Sequence, residues 1–248
     1  PDYYKHAVID LNYSPETGLE QAIKTICKAA LEQVKNQAVL LVLSDRAISK
    51  ETLPIPAAMA VGAVQRALVE NNFRCDTNII IETASVRDPH HFAVLLGLGA
   101  TAIFPYLAYE TLSALSDKNS LEVSRTQAIL NYRKGINTGL LKILSKMGIS
   151  TIASYRCSQL FETIGLSDAV VDLCFRGIAN RIKGADFQDL QKDQVARSCL
   201  AWERAHFPLP RGGLFRYIHG QEYHAYNPDV VHSLQQAVIS DDFSVYRH

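Results

Sequence analysis

Hydrophobic positions along the first part of the chain follow two different spacings. From Leu19 to Val34 apolar residues recur every three or four positions, which predicts an amphipathic helix. Ser14 and Pro15 supply N-cap and first-turn signals ahead of it. Residues 39–43 then form a continuous apolar run, typical of a strand buried on both faces of a sheet. The pattern predicts a helix followed by a buried strand.

The same alternation continues over most of the chain. Further helices are predicted over residues 56–69, 89–97, 105–115 and 123–147, and one starting in 159–164. Further strands are predicted over residues 78–81, 101–104 and 149–153. Strands that alternate with helices imply right-handed crossovers and a mainly parallel sheet. The predicted fold class is therefore α/β, TIM-barrel-like or a partial barrel, with a doubly wound open sheet as the alternative.

The pattern changes after Asp186. Residues 186–205 predict a polar surface helix. Aromatic and polar residues alternate on both sides of Gly220, which predicts an antiparallel hairpin over residues 215–225. Asn227 and Pro228 then cap a helix that runs to Val238. We therefore divide the chain into an α/β domain, residues 1–205, and a connector, residues 206–248, that contains the hairpin and the last helix.

Composition narrows the possible partners. The 25 basic and 25 acidic residues give a formal net charge of +0, and no basic stripe indicates a nucleic-acid partner. The five cysteines lack metal-site spacing, so free thiols in a reducing compartment are expected. The longest apolar runs are too short to span a membrane. A start at Pro1 and only two methionines are typical of a piece of a longer protein.

Polar residues follow the predicted strands, where parallel α/β proteins place their ligands. The candidate residues are Asp45, Arg46, Glu82, Tyr155 and Arg156. Two carboxylates, two arginines and a tyrosine are sufficient to bind a small anion. The alternative is that these ends are polar because they meet solvent or a partner surface. We favour the alternative because no matched acid–base pair is evident.

Other motifs are weaker. His90 and His91 are adjacent on a predicted helix and point about 100° apart, so they are not expected to share a metal ion. Cys157 is interpreted as a buried structural thiol rather than a nucleophile. Gly148 ends the long predicted helix and is expected to have a positive φ. No glycine-rich phosphate loop follows a strand.

Several long blocks of the sequence resemble the large chain of glutamate synthase. They are collinear from about residue 7 to residue 245 and read LLVLSDR, LPIPAAMAVGAVQRALVE, HHFAVLLGLGATAIFPYLAYETL, YRKGINTGLLKILSKMGISTIASYRCSQLFETIGL and GQEYHAYNPDVVHSLQQAV. The resemblance implies the central domain, followed by the start of the FMN-binding synthase domain. It also implies a parent enzyme that makes glutamate from glutamine and 2-oxoglutarate with FMN and a 3Fe-4S cluster. Ferredoxin or an NADPH-dependent small subunit would supply electrons, in the cytoplasm or, for a plant or alga, the plastid stroma.

The resemblance places none of the family's catalytic or cofactor residues in this chain. It implies a scaffold that joins the amidotransferase and FMN-binding domains and helps to enclose an ammonia tunnel. The five candidate residues would then be inter-domain or tunnel contacts. Two other hypotheses stay open: an independent barrel enzyme, and a regulatory module that binds a small anion through Arg46 or Arg156.

Overall fold

The computed structural model describes residues 4–118, 120–203 and 213–247. The chain divides into two compact units, Pro1–Trp202 and Glu203–His248, and each is described by itself. In chain order the elements are β1 (His6–Asp10), β2 (Asn12–Tyr13), α1 (Leu19–Lys35), β3 (Leu40–Ser44), β4 (Leu53–Pro54), α2 (Ala57–Glu70), β5 (Asn78–Glu82), α3 (Pro89–Gly97), β6 (Ala102–Phe104), α4 (Tyr106–Asp117), α5 (Arg125–Met147), α6 (Ile152–Tyr155), β7 (Glu162–Leu166), α7 (Asp168–Cys174), β8 (Ala179–Ala185), α8 (Phe187–Glu203), α9 (Pro228–Ser240) and α10 (Ser244–Arg247).

The first unit is built on a parallel sheet with strand order β1-β3-β5-β6. Helices α1, α2 and α3 make the crossovers, and right-handed crossovers in sequential order place all three on one face. The strand side chains that pack in one core with α1 and α2 are almost fully buried: Ile9, Leu41, Leu43, Ile79 and Ile81. The predicted α/β class with a mainly parallel sheet is confirmed.

The described residues form no closed barrel. Strands β1 and β6 are the two edges of the sheet, because each pairs with one neighbour only. The strand order also contains no reversal, which a doubly wound sheet requires. The next two strands, β7 and β8, pair with each other in a separate sheet and do not extend the first one.

Two predicted elements between Gly148 and Leu166 are wrong. Residues 149–153 are not a buried strand: they lead into α6, where the Thr151 hydroxyl accepts a hydrogen bond from the Ser154 N–H. Capping by Thr151 favours a helical turn there, and Ile152 is exposed. Residues 159–164 do not begin a helix either, because β7 (Glu162–Leu166) starts within them.

Several helix boundaries agree with the prediction. Ser124 caps α5 through the Gln127 N–H, and Gly148 ends it with φ 69°, the left-handed conformation predicted for that residue. Asp88 caps α3, with Pro89 in its first turn. Helix α1 begins later than its predicted cap: Gly18, at φ 80°, is the N-cap, and Ser14 lies in the preceding turn.

The second unit contains helices α9 and α10. The Asn227 side chain accepts hydrogen bonds from the N–H groups of Asp229 and Val230, which confirms the predicted cap of α9. The predicted hairpin over residues 215–225 is wrong, since this segment has turns and bends but no strand pairing. The predicted end of α8 at residue 205 falls outside the described residues.

Candidate functional site

Strands β3, β5 and β6 end side by side at the carboxyl edge of the sheet. Ser44 pairs with Glu82, and Glu82 pairs with Phe104, so the residues that follow each strand are brought together by register. Asp45, Arg46 and Glu82 meet there as predicted, together with Tyr106 from the first turn of α4. We call Asp45, Arg46, Glu82, Thr83, Tyr106 and Glu110 the carboxyl-edge network.

Asp45 is the buried centre of the network, with 4% of its surface exposed. The hydroxyl of Thr83 donates a hydrogen bond to its carboxylate, and the Ala84 N–H donates to the same group at 3.1 Å. Buried carboxylates require such partners, because an unpaired charge is costly away from water. Asp45 therefore organises the turn that follows β5.

Arg46 forms ion pairs with two carboxylates. Its Nη1 lies 3.0 Å from Glu82 Oε1 and its Nη2 lies 2.7 Å from Glu110 Oε1. Its guanidinium carbon is 4.8 Å from the centre of the Tyr106 ring, in cation–π geometry. The hydrogen bond to Glu82 is the main cause that raises the pKa of Arg46, with the Glu110 charge adding to it.

The remaining polar groups of this edge are also paired. Ser44 Oγ donates to Glu82 Oε2 at 2.6 Å. Burial, followed by the charge of Asp45, raises the pKa of the Tyr106 phenol. The charge of Arg46 is paired with the carboxylates of Glu82 and Glu110. The Asp45 carboxylate accepts hydrogen bonds from Thr83 and Ala84. The network can therefore hold three strand ends in register, with the charge of Arg46 already shared by two carboxylates.

A groove of about 740 Å³ runs beside this edge. Asp45 and Ser85 line it on the sheet side, and Arg197 and Trp202 of α8 line it on the other. This groove is not predictable from local sequence patterns, because α8 reaches the edge only through long-range packing. Glu110 was missed as well, although it lies four positions after Tyr106 and so on the same face of α4.

Tyr155 and Arg156 lie elsewhere, because the strand expected before them does not exist. Tyr155 is 2% exposed and packs in a small core with Ala93, Leu96 and Leu144, so its ring is not on the surface. Arg156 Nη1 donates to Thr101 Oγ1 at 3.2 Å, and Thr101 lies just before β6. The structure therefore places Arg156 at the amino edge of the sheet, opposite to Arg46.

The structure also shows the surroundings of the histidine pair and of Cys157. In the described part of the chain no three His, Cys, Asp or Glu side chains are grouped as metal ligands. His91 lies 3.5 Å from Asp88, and its ring centre is 6.5 Å from that of His90. Cys157 is exposed, not buried as predicted, and has a positive φ of 56°. No helix among the described residues has the length and apolarity needed to cross a membrane.

Comparisons with known proteins agree with the blocks of sequence noted above. The family model described as glutamate synthase central domain matches residues 1–167. The large chain of NADPH glutamate synthase from Bacillus subtilis (strain 168) is 36% identical over 244 residues, which are 98% of this chain and 16% of that protein. Ferredoxin-dependent glutamate synthase 2, chloroplastic, from Arabidopsis thaliana is 42% identical over 255 residues, 96% of this chain and 15% of that protein.

A fungal relative gives the same result. The NADH glutamate synthase of Schizosaccharomyces pombe is 37% identical over 255 residues, covering 99% of this chain and 12% of that protein. The chain therefore spans less than a fifth of the length of these relatives. It belongs to the glutamate synthase family, as the central domain of the large chain.

Proposed function

We propose that this chain is the non-catalytic scaffold of a glutamate synthase, joining its amidotransferase and FMN-binding domains and helping to enclose the ammonia tunnel between them. The observation that carries the proposal is the carboxyl-edge network. That edge is where α/β enzymes bind their ligands, yet its charges are paired with one another. A network of this kind stabilises a surface instead of performing chemistry.

An incompletely covered sheet face supports the same proposal. Val8, Val42, Ile80 and Ala102 form one row across the four strands, on the side away from α1 and α2. Val8 is 64% exposed and Phe104, on the same side of β6, is 43% exposed. Exposed apolar side chains on one face indicate a packing partner. We assign this face to the rest of the large chain, since the relatives continue far beyond this segment.

The same face supports a partial barrel. In a TIM barrel, consecutive parallel strands are neighbours and all helices lie outside. The sheet here has the same arrangement, and its open face corresponds to the barrel interior. We place the boundary with the connector at residues 205–206, so that residues 206–248 lead into the FMN-binding domain. The candidate contacts of the scaffold are Asp45, Arg46 and Glu82 at the carboxyl edge and Arg156 at the amino edge.

The parent enzyme would use glutamine, 2-oxoglutarate and a reductant. The relatives' names include NADPH, NADH and ferredoxin as donors, and this segment does not discriminate among them. Among the described residues no three His, Cys, Asp or Glu side chains are grouped to hold a metal ion, so this part of the chain offers no ligand set for a 3Fe-4S cluster. We assign both cofactors to the rest of the large chain. We also propose a cytoplasmic location, or the plastid stroma in a plant or alga.

The test uses a full-length glutamate synthase that contains this segment. Val8→Asp should uncouple the two half-reactions, because a buried carboxylate would loosen the packing that encloses the ammonia route. The ratio of glutamine consumed to 2-oxoglutarate converted should rise above one, while activity with added ammonia is retained. Leu141→Asp is the matched control, because Leu141 is 66% exposed and lies on α5 instead of the sheet. An unchanged ratio in Val8→Asp would overturn the scaffold role of this face.

The groove of about 740 Å³ is the observation that favours a second candidate function. An independent enzyme or an anion-binding regulatory module would hold its ligand there, beside Asp45 and Arg197. Its apolar walls and few polar groups resemble those of small-molecule sites. Arg197→Gln in the full-length enzyme distinguishes a ligand site in the groove from a non-catalytic scaffold. Loss of 2-oxoglutarate turnover, with an unchanged ratio of glutamine consumed to 2-oxoglutarate converted, would favour the ligand site.

A further inference from the structure

The amino edge of the sheet carries two arginines that meet at one turn. Arg74 lies just before β5, and Arg156 follows α6. Arg74 Nη2 donates to the Gly99 carbonyl at 3.1 Å, and Arg156 Nη1 donates to Thr101 Oγ1 at 3.2 Å. Gly99 and Thr101 belong to the same three-residue turn before β6, so the two guanidiniums converge. We call Arg74 and Arg156 the arginine pair.

Neither member of the arginine pair has an acidic partner among the described residues. The acceptors of Arg74 are all neutral: Gln65 Oε1, the Thr77 carbonyl at 2.7 Å and the Gly99 carbonyl. Asp76 is two positions away in sequence but forms no ion pair with it. Two positive charges are thus held together with nothing negative between them, which is unfavourable unless an anion is present.

The protonation equilibrium of Arg74 supports this description. Burial, and then the positive charge of Arg156, lower the pKa of Arg74. No carboxylate acts in the opposite direction; only the thiols of Cys157 and Cys75 do so, when ionised. The two guanidiniums are therefore close enough to repel each other. An oxyanion bound between them would remove that repulsion.

A cavity of about 460 Å³ is lined by residues next to the arginine pair, although neither Arg74 nor Arg156 lines it. Gln65, which accepts from Arg74, and Cys157, which follows Arg156, both line it. Its other walls include five apolar side chains, Val69, Leu98, Phe161, Phe175 and Ile178. They also include Arg66, Glu70 and Arg176, whose charges are paired with one another. The cavity can therefore hold the apolar part of a small molecule while an anionic group of that molecule reaches the arginines.

We infer that the arginine pair binds the oxyanion group of a small organic molecule, a carboxylate or a phosphate, whose apolar part occupies the adjoining cavity. Guanidinium groups match both oxyanions, since their N–H donors form a planar fork. Arg156 donates to one protein acceptor, so most of its N–H groups remain for a ligand. Arg74 is held in place by its three neutral acceptors, which orient it without neutralising it.

The test is a titration of the 248-residue chain followed by NMR. Benzoate is the carboxylate probe with an apolar body, benzamide is its neutral counterpart, and inorganic phosphate is the second oxyanion. Saturable shifts of the backbone amides of residues 99–101 and 157 are expected with benzoate or phosphate and not with benzamide. The oxyanion that binds more tightly identifies whether the natural ligand is a carboxylate or a phosphate. Absence of saturable shifts with both oxyanions would overturn the inference.

Variants of Arg156 make the test specific. Arg156→Gln should weaken oxyanion binding at least about tenfold, because it removes one charge of the pair. Arg156→Lys should recover part of that loss, since the charge returns without the planar fork. Arg46→Gln is the matched control, because its charge is already paired with two glutamates. Arg74 is not replaced, since its side chain also holds the turn. Equal affinity in Arg156→Gln and the unaltered chain would contradict the proposal.

Discussion

The two edges of the parallel sheet carry their arginines in opposite ways. At the carboxyl edge, Arg46 lies between Glu82 and Glu110, and Asp45 is surrounded by donors. At the amino edge, Arg74 and Arg156 meet at a turn, and within the described ranges they contact only neutral acceptors. The difference between the edges lies in whether an arginine has an acidic partner among the described residues.

Whether an arginine has an acidic partner therefore distinguishes a structural edge from a proposed binding edge better than the position of that edge in the fold does. The carboxyl edge is where α/β proteins usually bind ligands, and its polar residues suggest a site. Its arginine is already paired with two carboxylates, so an anionic ligand would compete with Glu82 and Glu110 for the charge of Arg46. The amino edge lies at the less usual end of the strands, yet it keeps donors that no described acid occupies.

The largest effect is expected from removal of Asp45. Asp45→Ala should lower the free energy of unfolding by about 3 kcal/mol, because the Thr83 hydroxyl and the Ala84 N–H lose a charged acceptor in a buried place. Asp45→Asn is the control, since it keeps an acceptor oxygen and should lose less. Urea unfolding of the 248-residue chain measures both. A loss below about 0.5 kcal/mol in Asp45→Ala would show that the carboxyl edge is not a mutually dependent network.

A smaller loss of stability is expected at the turn that accepts hydrogen bonds from the arginine pair. Gly99 has φ +116°, and a Cβ there would lie 2.5 Å from Gln65 Oε1, the acceptor of Arg74. Gly99→Ala should cost about 2 kcal/mol through backbone strain and displacement of Gln65. Gly148→Ala is matched to it, because Gly148 also has a positive φ, +69°, but open space around its Cβ. It should cost about 1 kcal/mol. Equal losses on thermal unfolding would show that Gln65 moves aside freely.

The sequence predicts the carboxyl edge better than the amino edge. The continuous apolar runs of β3 and β5 identify these strands, and register then brings Asp45 and Glu82 together. The arginine pair was missed because its partners, at positions 65, 77, 99 and 101, are joined by crossovers that no local pattern reveals. Strand β1 was missed for a related reason: its apolar core is three residues flanked by His6 and Asp10.

Short β-branched segments account for the wrong elements. Residues 149–153 contain two isoleucines and a threonine, which favour a strand locally, but the hydroxyl of Thr151 caps a helical turn. Residues 159–164 have apolar spacing compatible with a helix, yet pairing of β7 with β8 decides their conformation. In both cases a side-chain or tertiary contact overrides local propensity. The error placed Tyr155 and Arg156 at the carboxyl edge, whereas Asp45, Arg46 and Glu82 do meet there.

The pKa values of Tyr106 and Tyr155 provide a further comparison between the carboxyl edge and the rest of the unit. Burial and the Asp45 charge raise the pKa of Tyr106, whereas burial alone raises the pKa of Tyr155. A phenol with a folded pKa above its ordinary value of 10.0 contributes stability below that pH and loses it as the pH rises. Tyr106→Phe should therefore flatten the alkaline fall in unfolding free energy more than Tyr155→Phe does. Urea unfolding between about pH 9 and pH 11 measures the two slopes.

Other groups change with the same sign over this range. Burial raises the pKa of Cys27 to about 11 and those of Tyr13 and Tyr132 to about 12. They contribute equally to both variants, so the difference between the two slopes reports the different surroundings of the two phenols: burial in both, and for Tyr106 also the charges of Asp45, Arg46 and Glu110. Identical slopes would mean that the charged neighbours of Tyr106 do not add to the effect of burial.

The smallest changes are expected for the arginines themselves, and they test the comparison directly. Arg46→Gln leaves Glu82 and Glu110 without their shared cation, so it should destabilise the chain, and added NaCl should reduce that loss by screening. Arg156→Gln removes one of two like charges and a single hydrogen bond, so the free energy of unfolding should stay within about 0.5 kcal/mol of its original value. The effect of Arg156→Gln on the free energy of unfolding should change with NaCl in the opposite sense to that of Arg46→Gln. Salt screens the repulsion between the two arginines, so at high NaCl the substitution has less repulsion to remove. Urea unfolding at low and high NaCl measures all four quantities. If Arg156→Gln destabilised the chain with the salt dependence of Arg46→Gln, the amino edge would contain a compensating acid, and its two arginines would be structural like Arg46.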